Sequence, residues 1–414
     1  MEDGSVFQKD GNANTLPHLS RRNLLDWLAA GGLAALLGTK PSPLMAAPTD
    51  KAVDETLRIG YLPITDATPL LVAHALGYFE DEGLKVAKPQ PVKSWPTLVR
   101  GFAEGHFNLV HLLKPIPVWM RYNNHFPVKI VAWAHLNGSA IVVGEGSGIR
   151  DFRDLGGQRM AIPAWYSMHN IVLQQGLRKA GIRPVVDRGG MVQPDTCALT
   201  VIPPPMMVKS LATRRIAGYT VAEPFNAIGE LTAKGRVMRF TGDIWRNHPC
   251  CVICMHERDT THRPQWSQKV IQALVRAELY AAHNKREVAH LLSKEGKGYL
   301  SSGSKMIERA MTFYDPDAYT SPRAIRHQRE WQNGRIDFSP YPYPSATRKI
   351  VEMMKETVVD GHKTFLEPIE PEFVAKDLVV YDYVTKALDK YPQWKRLPGV
   401  NADQPFDREE LLII

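Results

Sequence analysis

Apolar positions along the chain alternate between short β-branched runs and longer stretches of helical period. Leu57-Arg58-Ile59-Gly60-Tyr61 reads as a buried strand, and Pro69 to Gly77 as a helix started by Thr65 or Asp66 and stopped by the glycine. Leu84-Lys85-Val86 predicts a second strand, and Ser94 caps a helix that carries Pro96 in its first turn and ends at Gly105. Leu109-Val110-His111 follows as a strand, Pro115 to Tyr122 as a short helix, and Val128 to Ala134 and Ala140 to Val143 as strands. The alternation continues with Met160-Ala161-Ile162, a helix over Ser167 to Ala180, Leu199 to Ile202, and a helix from Pro204. Ala217-Gly218-Tyr219, a helix from Phe225 and the strand Val237 to Phe240 complete it. From Pro264 the pattern is mainly helical, broken by an extended connector at Pro340 to Pro344, with a last helix near Asp377 to Lys386. Such alternation predicts an α/β fold with mixed, mostly parallel sheets flanked by helices.

The first residues follow a different pattern. Ser20-Arg21-Arg22-Asn23-Leu24-Leu25 precedes a short, weakly apolar stretch from Leu28 to Gly38, then Pro41, Pro43 and the small pair Ala46-Ala47. Residues 1–47 therefore read as a twin-arginine export signal, and the expected product is periplasmic. The competing reading, an amphipathic helix, is weakened by Gly31 and Gly32. The 414 residues suffice for about two domains, and a net charge of +8 spread over them in scattered basic residues argues against a nucleic-acid partner. The four cysteines, Cys197, Cys250, Cys251 and Cys254, then face an oxidising compartment.

Open parallel sheets bind ligands at the carboxyl ends of their strands. Those loops here include Ile64-Thr65-Asp66-Ala67-Thr68, Val92-Lys93-Ser94-Trp95, Trp165-Tyr166-Ser167-Met168-His169 and Ala222-Glu223-Pro224-Phe225. Helix N-termini among them favour a small anion or a carboxylate-like ligand.

Gly60 to Leu70 (GYLPITDATPL), Gly77-Tyr78-Phe79 and Glu82-Gly83-Leu84 resemble the opening of the nitrate/bicarbonate/sulfonate family of ABC-transporter substrate-binding proteins. The likeness continues through Ser94-Trp95, His111 to Pro117, Leu136 to Ile141, Pro203 to Val208, Glu223 to Asn226 and Trp245 to Pro249. It implies a two-lobed periplasmic-binding-protein clamshell (type II) with a helical C-terminal part. Lobe 1 is expected over 56–139 and 257–345, lobe 2 over 140–256, and a helical extension over 346–414. The crossings between lobes fall near Ser139 to Gly144 and Val252 to Glu257. The family role is capture of a small-molecule ligand for an ABC permease with a cytoplasmic ATPase, with peripheral contact at the inner membrane. The protein is expected to be a monomer, with no cofactor and no catalysis. A sensor that docks on a membrane kinase would share the same clamshell.

Within that likeness, Trp95 matches an aromatic wall of the ligand site, against the plainer reading of a core tryptophan. His169 matches a histidine that donates to the anion, against a capping or surface role. Ser139 stands where the nitrate branch has an amide, and the Thr65-Asp66 loop and Glu223 complete the wall, although Glu223 also suits a local cap or ion pair. The sharpest departure is Cys250-Cys251, which replaces the acidic residue and lysine of the nitrate branch. A neutral thiol cannot offset an anion's charge, so nitrate held by that mechanism is disfavoured. Cys251 is retained as a lining residue. Lys114 is the remaining candidate cation, unless its ammonium runs out to solvent. Cys250, Cys251 and Cys254, joined by His248 or His256, suggest as alternative an exported metal-binding protein or enzyme. Strand alternation, however, sets Cys250 and Cys254 on one face and Cys251 on the other.

Overall fold

The computed structural model describes residues 56–414, so the export signal expected over 1–47 lies outside the described residues. The first apolar run forms β1 (Ile59–Tyr61), but its parallel neighbour is β2 (Gln90–Pro91); Leu84-Lys85-Val86 supplies only an isolated bridge from Val86 to Leu57. Ser94 accepts the Thr97 N–H at 3.3 Å and starts the helix Trp95–Ala103, with Pro96 in the first turn, where a missing N–H costs nothing. Along the chain follow β3 (Leu109–Leu113), β4 (Val128–Trp133), β5 (Leu136–Asn137), β6 (Ser139–Gly144) and β7 (Arg159–Ile162). Then come β8 (Arg183–Val186), β9 (Thr196–Val201), β10 (Gly218–Ala222), β11 (Gly235–Phe240), β12 (Cys251–His256) and β13 (Ile336–Asp337).

Two sheets result, ordered β2-β1-β3-β12-β4 and β11-β6-β10-β7-β9-β8, and β5 pairs separately with β13. The pairs β1–β2, β1–β3, β7–β10, β7–β9 and β8–β9 are parallel. β6, β11 and β12 run antiparallel to their neighbours, so both sheets are mixed, with the reversed strands next to the crossings.

The crossings lie earlier than expected. β6 already belongs to the second sheet and β12 to the first, so the chain crosses over 134–138 and 241–250. The β-branched runs near Ser139 and Val252 are ladder strands, and the crossings are built instead from polar and turn residues. Asn137, Gly138 and Asn247 adopt φ of 58°, 73° and 50° there. At Gly138 a side chain is excluded twice, because a Cβ would also stand 2.9 Å from Nδ1 of His135.

The expected lobe limits change as well. Pro264–His283 packs on Thr68–Ala75 of the first lobe, but Tyr319, Ala324 and Ile325 are buried in the second lobe's core with Val142, Tyr219 and Phe240. The segment 257–345 is thus shared, handed over by Ser304–Thr312, which packs against Phe225–Thr232. Beyond it lie helices Pro344–Glu356, Pro371–Asp377 and Asp382–Asp389, so the final helix starts later than expected.

The C-terminal part fastens the two lobes together. Pro344–Glu356 packs on Pro115–Tyr122 of the first lobe. The chain then reaches the second-lobe helix Met168–Lys179, where Gln174 donates to the Val358 carbonyl at 2.8 Å and accepts the Val358 N–H at 2.8 Å. Asn170 donates to the same carbonyl at 3.1 Å, and the Tyr166 hydroxyl to the His362 carbonyl at 3.2 Å. Farther on, the tail covers the second crossing: Ile413 N–H donates to the Ile244 carbonyl, Arg246 N–H to that of Leu411, and the Trp245 indole to Glu410. Among the described residues no helix is long and apolar enough to cross a membrane.

Candidate functional site

The loop after β1 meets the loop after β10 across the cleft. Both the N–H and the hydroxyl of Thr65 donate to the Glu223 carbonyl at 3.0 Å, so the lobes touch directly here. Asp66, next in the chain, is wholly buried. Its Oδ2 lies 3.0 Å from Nε2 of His135, just past β4, and accepts the Cys251 thiol at 3.1 Å. Burial disfavours the His135 charge, but Asp66, through charge and hydrogen bond and helped by Cys250, outweighs it and lifts the imidazole to about 10.

The second crossing ends at Cys250. Cys251 opens β12 opposite Leu113 and its side chain obeys the strand's alternation, whereas Cys250 precedes the strand and is free of it. Both thiols therefore turn toward Asp66 and His135, while Cys254 lies on the other face near Lys114. This corrects the expectation that Cys250 and Cys254 share a face. Burial raises both thiols, and in Cys251 Cys250 and Asp66 raise it further. In Cys250 the neighbouring Cys251, the His169 charge and hydrogen bonds from His135 and His169 prevail and draw it well below the ordinary thiol range.

The second lobe supplies Ser139 and His169. Ser139 begins β6, and His169 sits in the first turn of Met168–Lys179, a helix capped by Ser167, which accepts the Asn170 N–H at 3.1 Å. Their side chains lie 2.9 Å apart, and the Cys250 sulfur is 3.7 Å from the serine oxygen and 3.8 Å from His169 Nε2. On the first-lobe side His111, in the middle of β3, accepts the Leu62 N–H at 3.0 Å. Burial, with His135 adding to it, pushes His111 down to about 3, so it stays neutral. Trp95 stands edge-on to that ring with centroids 5.4 Å apart.

Of the residues expected from the sequence, the structure brings together Asp66, Cys251, Ser139 and His169, with Trp95 reaching the group through His111. Thr65 and Glu223 serve instead as the contact between lobes: the Glu223 carboxylate is taken up by Arg335 at 2.6 Å and by the Ala227 N–H. Sequence reasoning passed over His111 and His135 as site residues. His111 is one histidine inside an apolar strand and His135 one just past another, and neither spacing marks a site; only the return of β12 between β3 and β4 sets both beside the cysteines.

Lys114 goes to neither expected place. It is 1 % exposed, donates to the Thr347 hydroxyl at 2.8 Å and lies over the Trp133 ring, with Cys254 and Glu410 as neighbours. It is the residue before the helix Pro115–Tyr122, and its side chain runs beneath the C-terminal helix Pro344–Glu356. Burial lowers its ammonium to about 7, Arg408 adds to that, and Glu410 opposes it. The unfolded lysine, near 10.4, therefore holds more protons than the folded one between pH 7 and 10. The cost is full below pH 7 and fades as pH rises toward 10. Lys114→Met should raise stability by about 1–2 kcal/mol at pH 6 and by less at pH 9. Urea midpoints at the two pH values check this, and an equal gain at both would refute it.

Several polar atoms here are buried with no partner among the described residues: Asp66 Oδ1, Trp95 Nε1, and the Nδ1 atoms of His111, His135 and His169. Such atoms in a native fold call for an occupant or a solvent molecule. Leu62 to Ile64 and Pro91 to Ser94 of one lobe face Pro203 to Met206 and Phe225 of the other across a largely apolar cavity of about 550 Å³, which none of those five residues lines.

A family model described as the NMT1-like family matches residues 50–293. The chain is 25% identical to the nitrate/nitrite binding protein NrtA of Nostoc sp. strain PCC 7120 over 92% of this chain and 90% of that one. It is 29% identical to the bicarbonate transport ATP-binding protein CmpC of Synechocystis sp. strain PCC 6803, covering 64% of this chain and 40% of that protein. The solved periplasmic nitrate-binding protein NrtA of Synechocystis PCC 6803 superposes with a TM-score of 0.67 at 18% identity, over 86% of this chain and 91% of that one. This likeness establishes the periplasmic-binding-protein fold.

Proposed function

The chain belongs to the NMT1-like family, and from that premise we propose that it is the solute-binding component of an ABC importer, working in the periplasm. It captures a small solute between its lobes and hands it to a permease driven by a cytoplasmic ATPase. Export by the twin-arginine route and a monomeric state belong to the same reading. The proposal assigns solute contact to Trp95, Ser139, His169, Asp66 and Cys251, and closure to the Thr65–Glu223 contact. It leaves Lys114 out.

The observation that carries it is the set of buried polar atoms on Trp95, His111 and His169 that have no partner among the described residues, with His169 set beside the Ser139–Cys250 contact. A ligand that touches both lobes only when they are shut favours the shut form by that difference. Micromolar capture needs about 8 kcal/mol, within reach of several hydrogen bonds in a water-poor cleft. Thermal shifts against nitrate, bicarbonate, sulfonates and small aromatic acids test this, since a ligand that binds only the native state raises the melting temperature. Trp95→Ala and His169→Ala should each weaken the responding ligand by about 10- to 100-fold, at about 1.4 kcal/mol per decade. A solute recovered chemically altered after incubation would overturn the reading in favour of an enzyme.

A further inference from the structure

The innermost part of the cleft holds one buried carboxylate, Asp66, paired with His135. Asp66 lies there beside two thiols, while Arg335 is engaged by Glu223 and Glu230 and Lys114 by Thr347. The donor atoms of Asp66, His135, Cys250 and Cys251 all lie within 4.8 Å of one another, and all four residues are buried. We propose that these four side chains form a binding site for one thiophilic metal ion, Zn(II) or Cu(I), at the hinge end of the cleft.

Donors at the corners of a tetrahedron with bonds of about 2.0–2.3 Å stand about 3.3–3.8 Å apart. The contacts of 3.0 Å between Asp66 and His135 and 3.1 Å between Asp66 and Cys251 lie just inside that spacing, and the remaining donors, all within 4.8 Å, have to draw in by up to about 1 Å to reach it. Two sulfurs, one imidazole and one carboxylate oxygen suit a soft d10 ion, not calcium or magnesium. The four side chains also do not satisfy one another's hydrogen-bonding capacity. Nε2 of His135 faces the Asp66 carboxylate at 3.0 Å and the Cys251 N–H at 3.3 Å, so it would have to donate and accept with one atom. Asp66 Oδ1 has no partner among the described residues.

The ligands come from the first lobe and from the ends of both crossings, while Ser139 and His169 of the second lobe sit on the Cys250 sulfur. An ion would thus load into the open form and be covered on closure. The inference uses the same cleft as the proposed solute capture but stands or falls separately from it.

The test is competition of the reduced, chelator-stripped protein against a chromophoric chelator, with Zn(II) and Cu(I) in separate titrations. The expected result is one equivalent bound in at least one arm, and that arm identifies the ion. Asp66→Asn, which keeps size and shape, and Cys250→Ser/Cys251→Ser should weaken it by about 10- to 100-fold or more. Co(II) loading gives a second readout: a thiolate-to-cobalt absorption in the native protein that the double serine variant lacks. Circular dichroism of the metal-free variants establishes that they are folded. Less than about a tenth of an equivalent in both arms, or affinity untouched in a folded variant, overturns the metal site. The solute panel run on metal-free protein decides solute capture independently.

Discussion

Arg335→Met is expected to destabilise the protein by about 3–5 kcal/mol, the effect of removing one partner of a buried ion pair. Arg335 is 1 % exposed and spends nearly all its donors: on Glu223 at 2.6 Å, Glu230 at 3.0 Å, the Tyr319 hydroxyl at 3.0 Å and the Phe313 carbonyl at 3.2 Å. Its plane also lies over the Phe240 ring. Burial pushes the Glu223 carboxyl up, and the Arg335 charge is the main force against that. Without the guanidinium, Glu223 must either protonate or stay charged with the Ala227 N–H as its one strong partner. Because Thr65 hangs on the Glu223 carbonyl, the damage also reaches the contact between lobes. Arg335→Lys should not restore stability, since an ammonium cannot reach two carboxylates, a hydroxyl and a carbonyl from one point. Arg335→Met combined with Glu223→Gln should recover more than half of the loss. Urea unfolding measures all three, and a double variant no better than the single one would count against the account.

Gln174→Leu should loosen the lobes from each other. The wild-type amide both accepts from and donates to the Val358 backbone, a pairing that ties the second lobe to the strap leaving the first. Losing it leaves a backbone N–H without its partner, at about 1–3 kcal/mol, and one further hydrogen bond at about 1 kcal/mol. A penalty of about 2–4 kcal/mol on the closed form makes local opening about 30- to 900-fold more frequent. Amide exchange at Val358 should speed up by that factor, and X-ray scattering should show a larger radius of gyration without ligand. Unchanged exchange together with an unchanged radius would mean that closure rests on other contacts.

The parts of this molecule legible in its sequence are those with local causes. Ser94 and Ser167 each sit before a helix and cap it, so both helices were placed correctly. The crossings are not legible to the residue, because Ala140 to Val143 and Val252 to Met255 have the same apolar pattern whichever sheet they join. Only pairing decides, and β12 pairs with β3 and β4. Among the site residues, the meeting of Asp66 with His135 depends on the loop after β1 folding back over the crossing, which no local pattern encodes. Cys250 misled for a related reason: period-two reasoning holds within a strand, and this residue stands one position before it. A lysine ordinarily faces cleft or solvent, and at Lys114 the C-terminal helix covers the side chain instead.

The carboxyl-terminal strap has one more implication. A trap whose jaws latch onto each other through its own backbone needs little help from its cargo to shut, and correspondingly holds on after the cargo's grip weakens. Discharge then becomes a mechanical task for whatever docks outside. A docking partner that pulled Val358 off Gln174 would unlatch the jaws from a distance, without entering them.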